Sequence, residues 1–313
     1  MNRKTWAVLV VVGLAAPFAV YPIFLMKLLC FALFACAFNL LIGYAGLLSF
    51  GHAAFFGGAA YVTGHLVKHA GVTPEIGILA GTLFAALLGF IFGSLAIRRQ
   101  GIYFAMITLA LAQIVYFIAV KSPFTGGEDG LQDIPRGMLF GVIDLDHGYS
   151  IGEQTLELNL YYFIFALFCF GFWVVYRTIN SPFGQVLKAI RENEPRAVSL
   201  GYRVERFKLL AFVISSALAG MAGAAKGLVF KLASLTDVSW HTSGEVVLMT
   251  LLGGLGTVFG PLVGAFTVVT LHSQLSSIGS WVMVVIGVIF VVCVLAFRRG
   301  IIGELGRLLK RSL

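Results

Sequence analysis

The chain has 313 residues, of which 59% are hydrophobic and only 12% charged, and its formal net charge is +8. Soluble domains carry roughly a quarter charged residues, so this composition excludes a soluble globular protein and points to an integral membrane protein. Long apolar runs, rather than alternating segments of about ten residues, make the spans helices and exclude a β-barrel. The fold class expected is all-α, a single membrane-embedded domain over 1–313 with about ten transmembrane helices.

Arg3-Lys4 precedes a first apolar run over 6–20. The run also fits a secretory signal, with Ala15-Ala16-Pro17-Phe18-Ala19 near a cleavage point, but a retained span is the preferred reading. Further spans are predicted over 23–42, 53–66, 76–97 and 102–120. Between them lies a glycine-dense stretch, Gly43-Tyr44-Ala45-Gly46-Leu47-Leu48-Ser49-Phe50-Gly51-His52-Ala53. Glycine at this density brings backbones close, so the stretch is either a tight packing site or a broken helix lining a cavity. His52, beside Ser49, is titratable at membrane depth and so a candidate for the pathway; a structural histidine bonded to a bent backbone is the competing reading. Asn39, Gln113 and His272 are further isolated polar residues within spans.

Residues 121–158 form a loop rich in Asp and Glu, expected to face outward; its carboxylates lack the spacing of a calcium loop. A sixth span over 161–176 leads to the segment 177–208, where seven Arg and Lys residues interrupt the apolar sequence. Ser181-Pro182 is a helix start, serine capping and proline occupying the first turn. Phe183, Val186, Leu187 and Ile190 then fall on one stripe of an amphipathic helix too short to cross a bilayer. Pro195 restarts the chain into a second short turn over 196–200, which Gly201 ends. Such a capped pair is either a docking element for an ATPase or an interfacial helix lying on lipid.

A seventh span over 209–230 carries Ala219, Gly223 and Gly227 at four-residue spacing, a stripe that lets another helix approach. The next apolar stretch, 243–256, gives only about 21 Å of helix against a hydrocarbon core of roughly 30 Å. It is therefore extended irregularly or discontinuous. Gly256, Gly260 and Gly264 repeat every four residues, and Pro261 interrupts the run. Glu245 is either an interfacial residue or faces the pathway. A last span is predicted over 281–297.

With both termini cytoplasmic, sixteen of the 22 Lys and Arg residues fall on the cytoplasmic side, as the positive-inside rule requires. Lys27, Lys68, Lys121, Arg136, Lys226 and Lys231 fall outside, with ten of the fourteen acidic residues. The basicity is thus topological, and nucleic acid is not an expected partner. Cys30, Cys36, Cys169 and Cys293 lie in spans without paired spacing and are read as packing residues. No metal site and no catalytic cluster is expected, so the chain is read as no enzyme.

The motif Gly43 to Ala53 resembles, almost letter for letter, a signature of branched-chain amino acid ABC transporter permeases. Similar matches are Gly101-Ile102-Tyr103-Phe104-Ala105-Met106, Thr125-Gly126-Gly127-Glu128-Asp129-Gly130-Leu131, Ser181-Pro182-Phe183-Gly184, Ala189-Ile190-Arg191-Glu192-Asn193-Glu194 and Ala197-Val198-Ser199-Leu200-Gly201. Ser215 to Gly223 and Gly253 to Pro261 follow in the family's order. Only the end departs: Arg298-Arg299-Gly300-Ile301-Ile302-Gly303 lacks the proline common before that glycine. The resemblance implies a permease subunit of a binding-protein-dependent importer in a bacterial-type inner membrane. It implies a second related permease, two ATPase subunits that bind the ATP, an external solute-binding protein and surrounding membrane lipid. The small-molecule cargo is a branched-chain or similar amino acid, the alternatives being urea, a short amide or an aromatic carboxylate. A self-sufficient secondary transporter is the rival outside the family.

By the same resemblance the coupling segment comprises Pro182, Phe183, Gly184, Leu187, Ile190, Arg191, Glu192, Glu194, Ala197 and Gly201. Phe183, Leu187 and Ile190 are expected to form the face against the ATPase. Candidate pathway residues are Gly46, Ser49, Gly51, His52, Gln113, Glu245, Gly256 and Gly260.

Overall fold

The computed structural model of the chain describes residues 10–139, 141, 143–146, 149–151, 154–275 and 300–308, with 284, 285, 287, 288 and 291 besides. Residues 10–15 are helical and run into a tight turn, Ala16–Phe18. Proline, whose missing N–H is spare in a first turn, opens helix α1 (Pro22–Asn39) and helix α3 (Pro74–Ala96). Between them α2 spans His52–His69; α4 (Ile102–Lys121) and α5 (Leu158–Ile179) follow. Two short helices, α6 (Pro182–Glu192) and α7 (Glu194–Ser199), precede the long α8 (Val204–Phe230). A single turn, α9 (Leu235–Val238), then α10 (Trp240–Gly253), α11 (Gly260–Leu275) and α12 (Gly300–Leu308) complete the described helices. Five segments among the described residues are long and apolar enough to cross a membrane: Pro22–Ala45, Pro74–Ala96, Ile102–Lys121, Leu158–Ile179 and Val204–Phe230. The first predicted span is described only from residue 10 on, and the last falls almost wholly outside the described residues, as do both termini.

The core is built where helices meet through small side chains. A Cβ added at Gly223 on α8 would lie 1.9 Å from the Phe56 carbonyl oxygen of α2, and one at Gly220 would lie 2.2 Å from Ala85 Cβ on α3. These contacts hold backbones closer than any larger side chain permits. Phe34 on α1 stacks on Phe56 at 4.5 Å, so α1 is buried against the same group. On the outer faces of α3 and α4, Leu79, Leu83, Leu87, Ile114 and Phe117 are exposed. Such apolar surface suits lipid rather than water.

The loop 121–158 departs from the all-α expectation. It carries two 3-10 turns and two antiparallel ribbons: β1 (Met138–Leu139) with β2 (Ile143–Asp144), and β3 (Tyr149–Ile151) with β4 (Gln154–Leu156). A cation ties this loop to the bundle. Buried Arg136 lies 2.7 Å from Glu157 Oε1 and donates to the carbonyls of Leu228, at 3.3 Å, and Val229, at 2.8 Å, at the end of α8. Cations favour helix C-termini, where carbonyls lack partners. Arg136→Met should therefore destabilise the protein by about 3–5 kcal/mol, the range for breaking a buried charge pair. Thermal unfolding of purified protein checks it; an unchanged midpoint would deny the clamp any structural weight.

Candidate functional site

The loop helices form as their caps dictate. Ser181 Oγ accepts from the Gly184 N–H at 3.3 Å, with Pro182 in the first turn, and Asn193 Oδ1 accepts from the Arg196 N–H at 3.0 Å to start α7. Gly201, at φ +86°, ends the pair in the left-handed region. Gly184 fits because its Cβ would lie 2.3 Å from the Ile179 carbonyl oxygen, so α6 folds back tightly on the end of α5. Lys208 Nζ holds Glu194 at 2.7 Å, and Phe183 stacks on Phe207 at 5.6 Å.

The apolar stripe of α6 points inward, contrary to its expected role as the ATPase face. Leu187 and Ile190 are buried in this chain's own core, and so is Ala197 of α7. The physical reason is that loop and bundle are one chain: the stripe meets its own helices first. Pro182, Gln185, Ala189, Arg191 and Glu192 are exposed, as are Val198 (57%) and Leu200 (69%) beyond them.

Both glycine-rich stretches are breaks. α1 continues as a widened turn, Leu40–Ala45, then Gly46 at φ +72° releases the chain into a non-helical link up to α2. α10 stops at Gly253; Gly254 and Gly256, at φ +120° and +75°, turn the chain, and Thr257 Oγ1 accepts from the Gly260 N–H at 3.0 Å to start α11. Residues more than 200 positions apart meet here. Asn39 Nδ2 donates to the Thr257 carbonyl at 2.8 Å while its Oδ1 accepts from the Gly256 N–H at 3.0 Å. Arg191 of α6 reaches into the same joint: its Nη1 donates to the Gly43 carbonyl, and Cβ atoms at Gly46 and Gly256 would lie 3.1 and 3.2 Å from its side chain. The joint thus couples the loop helices to both breaks. Asn39, an isolated polar residue in the sequence, is its centre.

The remaining candidates divide. Ser49 Oγ caps the Gly51 N–H at 3.2 Å, and a Cβ at Gly51 would meet the Thr108 carbonyl oxygen at 3.0 Å. His52 is fully buried among Phe38, Phe55 and Phe212, with Nε2 2.9 Å from Ser215 Oγ, which itself donates to the Ala37 carbonyl at 2.5 Å. Ser49 thus caps the break, and His52 is held within the aromatic core, its Nδ1 buried without a partner among the described residues. Gln113 is half-buried on α4, and its side chain makes no hydrogen bond among the described residues. Glu245 Oε1, by contrast, lies 3.4 Å from His272 Nε2 across α10 and α11, on the wall of a cavity of about 410 Å³ that Lys27 and Lys226 also line. Lys27, Lys226 and Asp237 were not legible as site residues, since their helices lie far apart in sequence. Among the described residues no three His, Cys, Asp or Glu side chains converge as a metal site requires.

The sequence of this membrane bundle has known relatives. The profile of the family described as "Branched-chain amino acid transport system / permease component" matches residues 21–294. The chain is 27% identical over 278 residues to the high-affinity branched-chain amino acid transport system permease protein LivM of Escherichia coli K12, covering 84% of this chain and 65% of LivM. The Salmonella typhimurium LivM gives the same figures, so the chain spans just under two thirds of the length of these relatives. It is also 27% identical over 255 residues to the ribose import permease protein RbsC of Bacillus subtilis, covering 77% and 73%. No solved structure matches. With a match running from the start of α1 into the last predicted span, the chain belongs to the branched-chain amino acid transport system permease family.

Proposed function

We propose that the chain is a transmembrane permease subunit of a binding-protein-dependent ABC importer for branched-chain amino acids in a bacterial inner membrane. Its partners are a second permease, ATPase subunits that hydrolyse the ATP, and an external solute-binding protein. The observation that carries this reading is the joint of Arg191, Asn39, Gly43 and Gly256. A docking element must transmit motion to the membrane helices, and here its helix is hydrogen-bonded to one break and packed against the other. The basic loop 177–208 lies in the cytoplasm in this reading, consistent with the positive-inside rule. The LivM relatives support the cargo; the ribose permease relative supports a sugar instead. Uptake of labelled leucine and ribose by cells lacking the gene decides between them. Restored leucine uptake on re-expression supports the proposal, and restored ribose uptake alone overturns the cargo.

Within that reading Arg191→Gln removes the link while sparing the other exposed residues of α6 and α7. The ATPase should still co-purify, and uptake should fall at least about fivefold, the lower end of typical coupling energies. Uptake at the wild-type rate would remove Arg191 from the coupling path.

A further inference from the structure

We propose that the cavity between α1, α8, α10 and α11 is a vestibule for a zwitterionic amino acid, with Lys27 receiving the carboxylate and Glu245 the ammonium. The inference rests on the importer reading and adds to it the residues that grip the cargo.

Several polar groups of the wall are already engaged. Lys226 Nζ is paired with Asp237 Oδ1, and Asp237 Oδ2 accepts from Ser234 Oγ at 3.2 Å. Thr242 Oγ1 donates to the Thr236 carbonyl at 2.7 Å. Among the described residues the Lys27 side chain makes no ion pair or hydrogen bond, and that of Glu245 has only the 3.4 Å contact to the imidazole of His272. Among the described residues one ammonium and one carboxylate on this wall therefore remain unpaired or weakly paired, the first on α1 and the second on α10. Charges at membrane depth are costly unless they have partners or a function. A ligand carrying one charge of each sign completes both at once.

Depth and shape fit such a ligand. Lys27 and Glu245 each lie five residues inside the start of their helices, and Lys226 and His272 lie four and three residues from the ends of theirs. All four therefore stand about 5–8 Å into the bundle from one end, at 1.5 Å per residue. That end carries the loop 121–158, whose Leu131 pairs with Ala233 just past α8. Phe31, Met249, Val268 and Val269 form an apolar wall beside the charges, suited to an aliphatic side chain. A volume of about 410 Å³ is at the small end of ligand sites. A larger cavity of about 700 Å³, between residues 12–16, α1, α5 and α11, has an almost purely hydrocarbon lining. Its one phenol, Tyr161, is engaged with the Gly13 carbonyl at 2.7 Å, so it offers nothing to a charged solute.

The test is equilibrium binding of labelled leucine to the full chain, isolated with its accompanying subunits in lipid nanodiscs and washed free of soluble binding protein. Competitors are leucinamide, which lacks the carboxylate, and 4-methylpentanoate, which lacks the amine. Wild type should prefer leucine to either analogue at least about tenfold, the range of one charge-assisted hydrogen bond. Lys27→Gln should weaken leucine by about that factor and leucinamide less than twofold; Glu245→Gln should do the same with 4-methylpentanoate as the insensitive probe. Lys27→Arg and Glu245→Asp should keep the wild-type ranking. A structural role would weaken all three probes together, and that result overturns the proposal. So does leucine binding within twofold of wild type in both glutamine variants, or no saturable leucine binding by wild type. Should glutamine bind as tightly as leucine with the same pattern of variants, the vestibule stands and the branched-chain cargo falls.

Discussion

Leu200→Glu is expected to strip the ATPase from the purified permease while leaving the amount of permease in the membrane unchanged. Leu200 is the residue just past α7 and is 69% exposed; Val198, within α7, is exposed too. A surface substitution of this kind alters folding by about 0.5 kcal/mol or less. Covered by a partner, the same carboxylate is buried without a counter-ion, at several kcal/mol; about 4 kcal/mol is a thousandfold loss of affinity. Leu187→Glu makes the contrast, because Leu187 is buried in the chain's own core. That variant should lose the permease itself. Quantified co-purification with the membrane yield of each variant is the measurement. ATPase recovered at wild-type yield with Leu200→Glu would move the docking surface elsewhere on the loop.

The second large effect is expected at Gly264. Its Cβ would lie 1.7 Å from the Met249 carbonyl oxygen, and a Cβ at Gly253 would lie 1.8 Å from the Gly260 carbonyl oxygen, so α10 and α11 touch backbone to backbone. Gly264→Ala must part the two helices, at about 3 kcal/mol, and Gly264→Leu should leave little folded protein. Gly244, on the same α10, has open space where its Cβ would go. Gly244→Ala should be neutral or stabilising by up to about 1 kcal/mol, from helix propensity alone. Heating followed by gel filtration reads both. Equal behaviour of Gly244→Ala and Gly264→Ala would refute the close crossing.

Local signals carried far into this fold. Apolar runs placed α1 to α5 and α8 within a few residues, and Ser181-Pro182 marked the start of α6. Four-residue spacing of Ala219, Gly223 and Gly227 foresaw the approach of α8 to α2, which Gly223 makes at the Phe56 carbonyl. The glycine clusters announced that backbones meet; whether by packing or by breaking was beyond composition, since both need the same residue. Periodicity likewise defined the stripe Phe183, Leu187, Ile190 but not what covers it, and the cover turned out to be this chain. The ribbons of 138–156 were invisible because two- and three-residue strands show no alternation. Lys27 and Lys226, near the outer ends of their predicted spans, were counted only as outer-side charges. They stand inside α1 and α8, where only tertiary packing brings them opposite Glu245.

Helix α8 has 27 residues and is therefore about 40 Å long. Near its first turn Lys208 is fastened to Glu194 of the loop helices, and at its last turn the Leu228 and Val229 carbonyls are fastened to Arg136 of the opposite loop. The same rod carries Lys226 to the vestibule wall. A lever of this length tilted by about 10° around its middle moves each tip by roughly 3.5 Å. Displacement applied at one membrane face therefore arrives at the other at full amplitude and in the opposite direction, with no chain of side-chain relays between them.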